Sequence, residues 1–152
     1  MIRQITTFIP NQPGTLASFC KILKENNIDM RAMNVGDAME FGIDREIVSD
    51  TETAAAVLRE KGFVCQVDEV LVIEVEDHPG SLVGLLTTLG EASVNLDYVY
   101  ALFSRKEGTA GFVIKTGDQE HAKSALRSAG IRQLPEEELT AAGSEDAGAS
   151  DI

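Results

Sequence analysis

The chain has 152 residues, 43% hydrophobic and 25% charged, with a net charge of −12 at pH 7. The composition is ordinary for a globular protein, and no apolar run is long enough to span a bilayer. The excess of acids argues against a phosphate-backbone partner, because nucleic-acid affinity draws on Lys and Arg that release counterions.

The opening "MIRQITTFIP" has one basic residue and no apolar core with a cleavage site, so it does not read as a signal peptide, and a cytoplasmic location is expected. "IRQITTFI" alternates, with Ile5, Thr7 and Ile9 on one side, as a first strand does. After "NQPGTLASF" the spacing of Leu16, Phe19, Cys20 and Leu23 becomes three-and-four, predicting an amphipathic helix that begins near Pro13, since Pro is favoured at the first helical position. "IDMRAMNV" and "FGIDREIV" return to alternation on either side of a short turn at "GDAME", which makes a hairpin. Asp50 is placed as the N-cap of "TETAAAVLREKG", which ends on a Gly, and "FVCQVDE" reads as a last strand.

The same order then repeats. "DHPGSLVGL" follows "NQPGTLASF" at a spacing of 66, which also matches Leu16 to Leu82, Phe19 to Leu85, Leu23 to Leu89 and Ile28 to Val94. Farther on the spacing is 68, pairing Asp50 with Asp118, Leu58 with Leu126 and Gly62 with Gly130. "VLVIEVE" is the second first strand, and Leu82, Leu85, Leu86 and Leu89 mark its helix. "VNLDYVYALF" and "GTAGFVIKT" form a hairpin through "SRKEG", Asp118 caps "QEHAKSALRSAG", and "IRQLP" closes the copy.

The expected fold is α+β: two tandem ferredoxin-like β-α-β-β-α-β units, each a four-stranded antiparallel sheet with both helices on one face. The units are expected at residues 1–68 and 69–135. Each is marginal alone by surface-to-volume scaling, so one compact body is expected. Residues 136–152, "EEELTAAGSEDAGASDI", read as an acidic disordered tail that adds solubility, with a helical turn at "PEEEL" the most that forms. Cys20 and Cys65 fall at unrelated places in the repeat and are expected to be buried free thiols rather than metal ligands or a disulfide. In the second unit both alternating sets, including Val70, Val72, Tyr98, Val99 and Tyr100, are substantially apolar, and so therefore is the sheet face away from the helices. That face is expected to be an interface, and the chain a homodimer or larger.

With strand, Pro-Gly turn, helix and repeat in that order, residues 1 to about 134 resemble two tandem copies of the ACT domain family. The motifs that carry the resemblance are "IPNQPGTLA" and "VEDHPGSLV", then "ILKENNIDM" and "LGEASVNLD", with "FGIDREIVSD" adding a third-strand match. The resemblance implies a non-catalytic regulatory module that binds a free α-amino acid and takes no cofactor. It also implies that the Pro-Gly loop faces the start of the second strand of a neighbouring ACT domain, with the ligand between domains. The residues implicated are Asn11, Gln12, Pro13, Gly14, Thr15 and Leu16 with Ile28, Asp29 and Met30, and Asp77, His78, Pro79, Gly80, Ser81 and Leu82 with Asn95, Leu96 and Asp97.

The chemistry of the residues points the same way. A helix N-terminus offers unpaired N–H groups and the positive end of a dipole, worth about 1 kcal/mol to a carboxylate beyond its hydrogen bonds. Gly14 and Gly80 put no side chain in the way, so the amides of Gly14, Thr15 and Leu16, or of Gly80, Ser81 and Leu82, are expected to face the loop. Asp77, or Asn11 through its amide oxygen, is placed to accept from an ammonium group. His78 stands next to the Pro and either touches ligand or is solvent-exposed, whereas His121 is expected on a helix surface.

Three other readings use related features. An RNA-recognition module shares the β-α-β-β-α-β order, but "ITTFI" and "LVIEV" lack its paired stacking aromatic and the chain is acidic. An acylphosphatase-like hydrolase needs an Arg in the first loop, and neither "IPNQPG" nor "VEDHPG" has one. With no nucleophile and base constellation in view, no enzyme activity is expected. A regulatory subunit that docks on a biosynthetic enzyme such as acetolactate synthase, regulating it in trans, is the main alternative to a stand-alone sensor.

Overall fold

The computed structural model describes residues 1–103 and 105–141. Among these, residues 4–68 with 136–141 make one compact unit, and residues 1–3 with 69–135 make another. The architecture is the expected α+β arrangement of antiparallel strands and helices.

The first half contains β1 (Ile2–Pro10), α1 (Thr15–Glu25), β2 (Met30–Ala38), β3 (Phe41–Val48) and α2 (Thr51–Glu60). Both β1 and β2 pair antiparallel with β3, setting Ile5 opposite Glu46, Thr7 opposite Asp44, and Met30 opposite Val48. Facing residues share one side of a sheet, and this side meets the helices. Ile5, Ile9 and Val48 pack with Phe19 and Leu23 of α1 and Ala54 and Leu58 of α2. Phe63 meets Phe19 edge to face, with ring centroids 5.5 Å apart.

The second half repeats the plan with β4 (Val64–Glu76), α3 (Ser81–Glu91), β5 (Leu96–Ala101), β6 (Thr109–Thr116), α4 (Gln119–Ser128) and β7 (Arg132–Gln133). Here β4 and β5 flank β6, and Leu71, Ile73 and Ile114 pack with Leu85, Leu89, Ala122 and Leu126. The stretches read as the last strand of one copy and the first of the next are one continuous strand, β4. "IRQLP" supplies only the two residues of β7.

The element ends follow from local chemistry that both copies share. Asp50 accepts from the Thr53 N–H and Asp118 from the His121 N–H, each at 3.0 Å, so both second helices start where a carboxylate meets a free donor. At the other end of α1 and α3, Asn27 (φ 55°) and Ser93 (φ 58°) turn left-handed. This lets Ile28 N–H reach Leu23 O at 2.9 Å and Val94 N–H reach Leu89 O at 2.8 Å.

Beyond a register shift between Leu96 and Tyr98, Val99 stands opposite the core residue Ile114 and Tyr100 opposite Val113, so the two point to alternate faces. Two expectations change. The apolar face is not open: Val70, Val72 and Tyr100 are already buried in the single chain, which removes the reason for assigning that face to a second copy. Finally, Glu136–Ala141 forms a short helix, α5, in which Leu139 is 4% exposed, so this part of the expected tail has an apolar group to bury; residues 142–152 lie outside the described residues. Leu139→Ala is therefore expected to cost about 2 kcal/mol, lowering the melting midpoint by about 4–8 °C in a scanning calorimetry comparison.

The second unit also contains a buried ion network. Glu74 on β4 accepts from Arg105 and from Arg132, and the side chains of Glu74 and Arg105 are 10% and 8% exposed. Burial pushes the Glu74 carboxyl up, but the hydrogen bonds from the two guanidinium groups outweigh it and hold the group below the usual carboxylate range.

Candidate functional site

The two Pro-Gly loops are built alike. Asn11 N–H bonds Glu40 O at 3.1 Å and Asp77 N–H bonds Gly108 O at 2.9 Å, tying each loop to the hairpin of its own unit. Gln12 N–H bonds Pro10 O at 2.9 Å and His78 N–H bonds Glu76 O at 3.1 Å. Gly14 (φ 85°) and Gly80 (φ 97°) are left-handed and serve as the N-caps. The helices therefore start at Thr15 and Ser81, and Pro13 and Pro79 stand ahead of the cap rather than on the first helical position. The reason is steric: the chain turns into the helix through a positive φ that only Gly takes without strain.

Of the amides expected to face a ligand, those of Thr15 and Ser81 are used in the turn itself, bonding Gln12 O at 3.2 Å and His78 O at 3.3 Å. No side chain caps either helix, and neither first turn carries an acid. The first intrahelical bonds are Ser18 N–H to Gly14 O and Gly84 N–H to Gly80 O, which leaves the Leu16 and Ala17 amides, and those of Leu82 and Val83, as the unmet donors of the first turn. A Cβ built at Gly14 or Gly80 would meet nothing within 4 Å, so the space beside both glycines is open. The arrangement offers donors and a positive dipole end to an anion, and no side chain among the described residues caps them.

The flanking polar groups differ between copies. Asn11 donates its Nδ2 to Met39 O at 3.5 Å, leaving Oδ1 to accept, whereas Asp77 is an exposed carboxylate. His78 lies between the Pro79 carbonyl (3.0 Å from Nδ1), the Ser81 hydroxyl (3.2 Å from Nδ1) and the Glu76 carboxylate (3.1 Å from Nε2). The Pro79 carbonyl, followed by Glu76, raises its imidazole above the ordinary value despite slight desolvation. His78 is thus more readily protonated than an ordinary imidazole, beside the start of α3. A proton-detected NMR titration is expected to place His78 above about 6.5, and Glu76→Gln to bring it down. The Glu76 contribution was not foreseen, although its position two residues before His78 was a signal. His121 is on α4 and exposed, as expected, and it reaches back to Ala92 O at 2.7 Å through Nε2.

The residues assigned to a second wall are elsewhere. Ile28 is buried in the first core, while Met30 and Leu96 pack against the cores of their own units. Asp29 is engaged by Arg31 at 2.6 Å and its backbone by Ser49, an involvement that sequence reading missed. Asn95 and Asp97 are exposed. All six follow α1 or α3, about 16 Å of helix away from the Pro-Gly loop of the same unit. No unit brings its own loop and its own second wall together.

A cavity of about 80 Å³ lies in the second unit against Met1, Val72, Lys123 and Gln133, and it includes none of the expected site residues. Cys20 and Cys65 are free and only half-buried. Among the described residues no group of three or more His, Cys, Asp or Glu could hold a metal ion, and no helix is long and apolar enough to cross a membrane.

Comparison with known proteins gives a family-wide match and several structural ones. The model of the ACT domain pair matches residues 1–142. No curated relative matches the chain. Among solved structures, protein BT0572 from Bacteroides thetaiotaomicron is 26% identical with a TM-score of 0.85, over 91% of this chain and 95% of that one. The regulatory subunit of aspartate kinase from Thermus thermophilus, in a ligand-free form, is 18% identical with a TM-score of 0.65, over 84% and 89% of the two chains. Its counterpart from Thermus flavus is also 18% identical, with a TM-score of 0.61 over 84% and 90%. At that identity the Thermus proteins speak to the fold.

Proposed function

We infer, since the chain belongs to the ACT domain pair family, that it is a non-catalytic regulatory protein that binds a free α-amino acid at the N-terminus of α1 or α3. The observation that carries this reading is the duplicated helix start: a left-handed Gly with open space beside it, followed by amides that no side chain caps. The ligand carboxylate takes the Leu16 and Ala17 amides, or those of Leu82 and Val83, and the positive dipole end. The ammonium group takes Asp77, or the Oδ1 of Asn11.

The second copy is the better equipped of the two. Asp77 brings a full charge where Asn11 brings an amide oxygen, and His78 adds an imidazole more readily protonated than usual next to the anion site. A further ACT domain completes the pocket with residues such as Ile28, Asp29 and Met30, or Asn95, Leu96 and Asp97, because the unit presenting the loop cannot supply them.

A thermal-shift screen of the twenty amino acids at millimolar concentration tests this. A ligand at about a hundred times its dissociation constant adds roughly 2.7 kcal/mol to the folded state, which raises the midpoint by about 5–10 °C for a chain of this size. The α-amide and the deaminated acid of each hit are expected to be inert, since both ends of the zwitterion are used. If no amino acid shifts the midpoint, the reading as a subunit that docks on an enzyme replaces this one.

A further inference from the structure

The first unit buries two carboxyl groups in its core. Asp44 and Glu46 alternate along β3 in phase with Val48, so both lie on the sheet face that packs under the helices, and each is 0% exposed. Thr7 and Ile5 stand opposite them on β1, and Val35 and Met33 on β2. Thr7 is 0% exposed as well. Among the described residues, neither its hydroxyl nor any of the four carboxyl oxygens has a hydrogen-bond partner. Two carboxylates in such a place repel and cannot be solvated; one proton held between them removes a charge.

The second unit is an internal control. The repeat places Ile73, Phe112 and Ile114 where the first unit has Thr7, Asp44 and Glu46, and the pairing agrees: Ile73 faces Phe112 and Leu71 faces Ile114, as Thr7 faces Asp44 and Ile5 faces Glu46. Ile73 and Ile114 are fully buried. The fold therefore accepts hydrocarbon at these positions, and the buried acids are not required by the topology.

We propose that Asp44 and Glu46 together form a proton-binding site that couples the stability of the first unit to pH, a device the second unit lacks. From α1 the titratable group facing the pair is Cys20, a half-buried thiol pushed up by burial and then by Glu46 and Asp44. From α2 the buried residues are Thr51, Ala54, Ala55 and Leu58, none of which titrates in this range. β1 and β2 present Thr7, Ile5, Val35 and Met33. Arg45 lies between the acids along β3 and its charge acts on Asp44, but alternation sends its side chain to the other face of the sheet.

Burial drives the rise at both groups, Asp44 to about 7 and Glu46 to about 9, with the Asp44 charge adding to Glu46. The pair loses its protons in two steps that belong to it jointly. The unfolded chain releases both near 4, so the native state binds the extra protons, and their stabilising effect is complete below that pH and is lost as pH rises through the folded values. The folding constant is expected to fall by roughly a hundredfold per pH unit between about 5 and 7, where two protons differ, and by roughly tenfold per unit between about 7 and 9, where one does.

The test is denaturant unfolding of the full chain from about pH 6 to 10, for the wild type and for two double variants, Asp44→Asn with Glu46→Gln and Asp44→Phe with Glu46→Ile. Relative to either variant, the wild type should lose about tenfold in its folding constant per pH unit between about 7 and 9 and run parallel above that. Parallel curves throughout would overturn the proposal. Infrared spectroscopy on the wild type alone decides the matter if the variants fail to fold. A carboxyl with an ordinary value is fully ionised near pH 8, so a protonated-carboxyl band is expected to persist there and vanish near pH 10, and its absence at pH 8 refutes the site.

Discussion

Gly80→Asp is expected to weaken binding of the amino acid at the second loop by roughly a hundred- to a thousandfold, while Gly80→Asn retains most of it. Both side chains enter open space, so neither is excluded by a clash. Both also accept the positive φ of this position better than most residues, so the strain of leaving Gly, about 1–2 kcal/mol, is common to the pair. What separates them is charge. A second carboxylate about 4 Å from that of the ligand costs roughly 4 kcal/mol at an effective dielectric constant near 20, and it also competes for the Leu82 and Val83 amides. The same charge at a helix N-terminus favours the fold by about 0.3–1 kcal/mol, so lost binding would not reflect lost structure. Titration calorimetry on both variants, and on the matching pair at Gly14, reads the effect site by site. Unchanged affinity and stoichiometry in Gly14→Asp and Gly80→Asp would remove the helix N-termini from the mechanism.

Glu74→Ala should be among the most destabilising single changes in the second unit. It leaves the Arg105 guanidinium, 8% exposed, without the carboxylate that compensates its burial. Breaking a buried pair from one side costs about 3–5 kcal/mol, or roughly 10 °C in the midpoint for a chain of this size. Removing both partners, Glu74→Leu with Arg105→Leu, is expected to recover most of the loss, since the penalty is the unpaired charge rather than the missing attraction. The pH dependence has a definite sign. The folded Glu74 carboxyl is held below its unfolded value, so its contribution is present above about pH 4.5 and fades as pH falls through the folded value. Equilibrium unfolding of the wild type and the two variants near neutral and mildly acidic pH checks both statements, and a double variant as unstable as Glu74→Ala would contradict the argument.

Much of the architecture was legible because the repeat presents each element twice. Leu16, Phe19 and Leu23 have counterparts in Leu82, Leu85 and Leu89, and Asp50 and Asp118 cap their helices through the same bond to the third residue on. The failures have local causes. Pro13 and Pro79 were assigned to the first helical position on a preference that holds when the cap is extended, whereas here a left-handed Gly is the cap. Leu139 is a lone apolar residue in an acidic stretch and carries no periodic signal, so its burial was not readable. In "FGIDREIV" the phase of Asp44 and Glu46 with Val48 was visible in the letters. Reading it as burial meant accepting two unpaired acids in a core, which composition-based reasoning disfavours.

The central claim is that the first turns of α1 and α3 receive a carboxylate. Amide NMR during titration with an amino acid found in the thermal-shift screen addresses it residue by residue. The account predicts that the largest shifts fall on Gly14, Leu16 and Ala17, or on Gly80, Leu82 and Val83. It further predicts that the α-amide of the same compound leaves these resonances in place, because it lacks the anion the helix end recognises. A saturable response confined to other parts of the chain, with both helix starts unmoved, would contradict it.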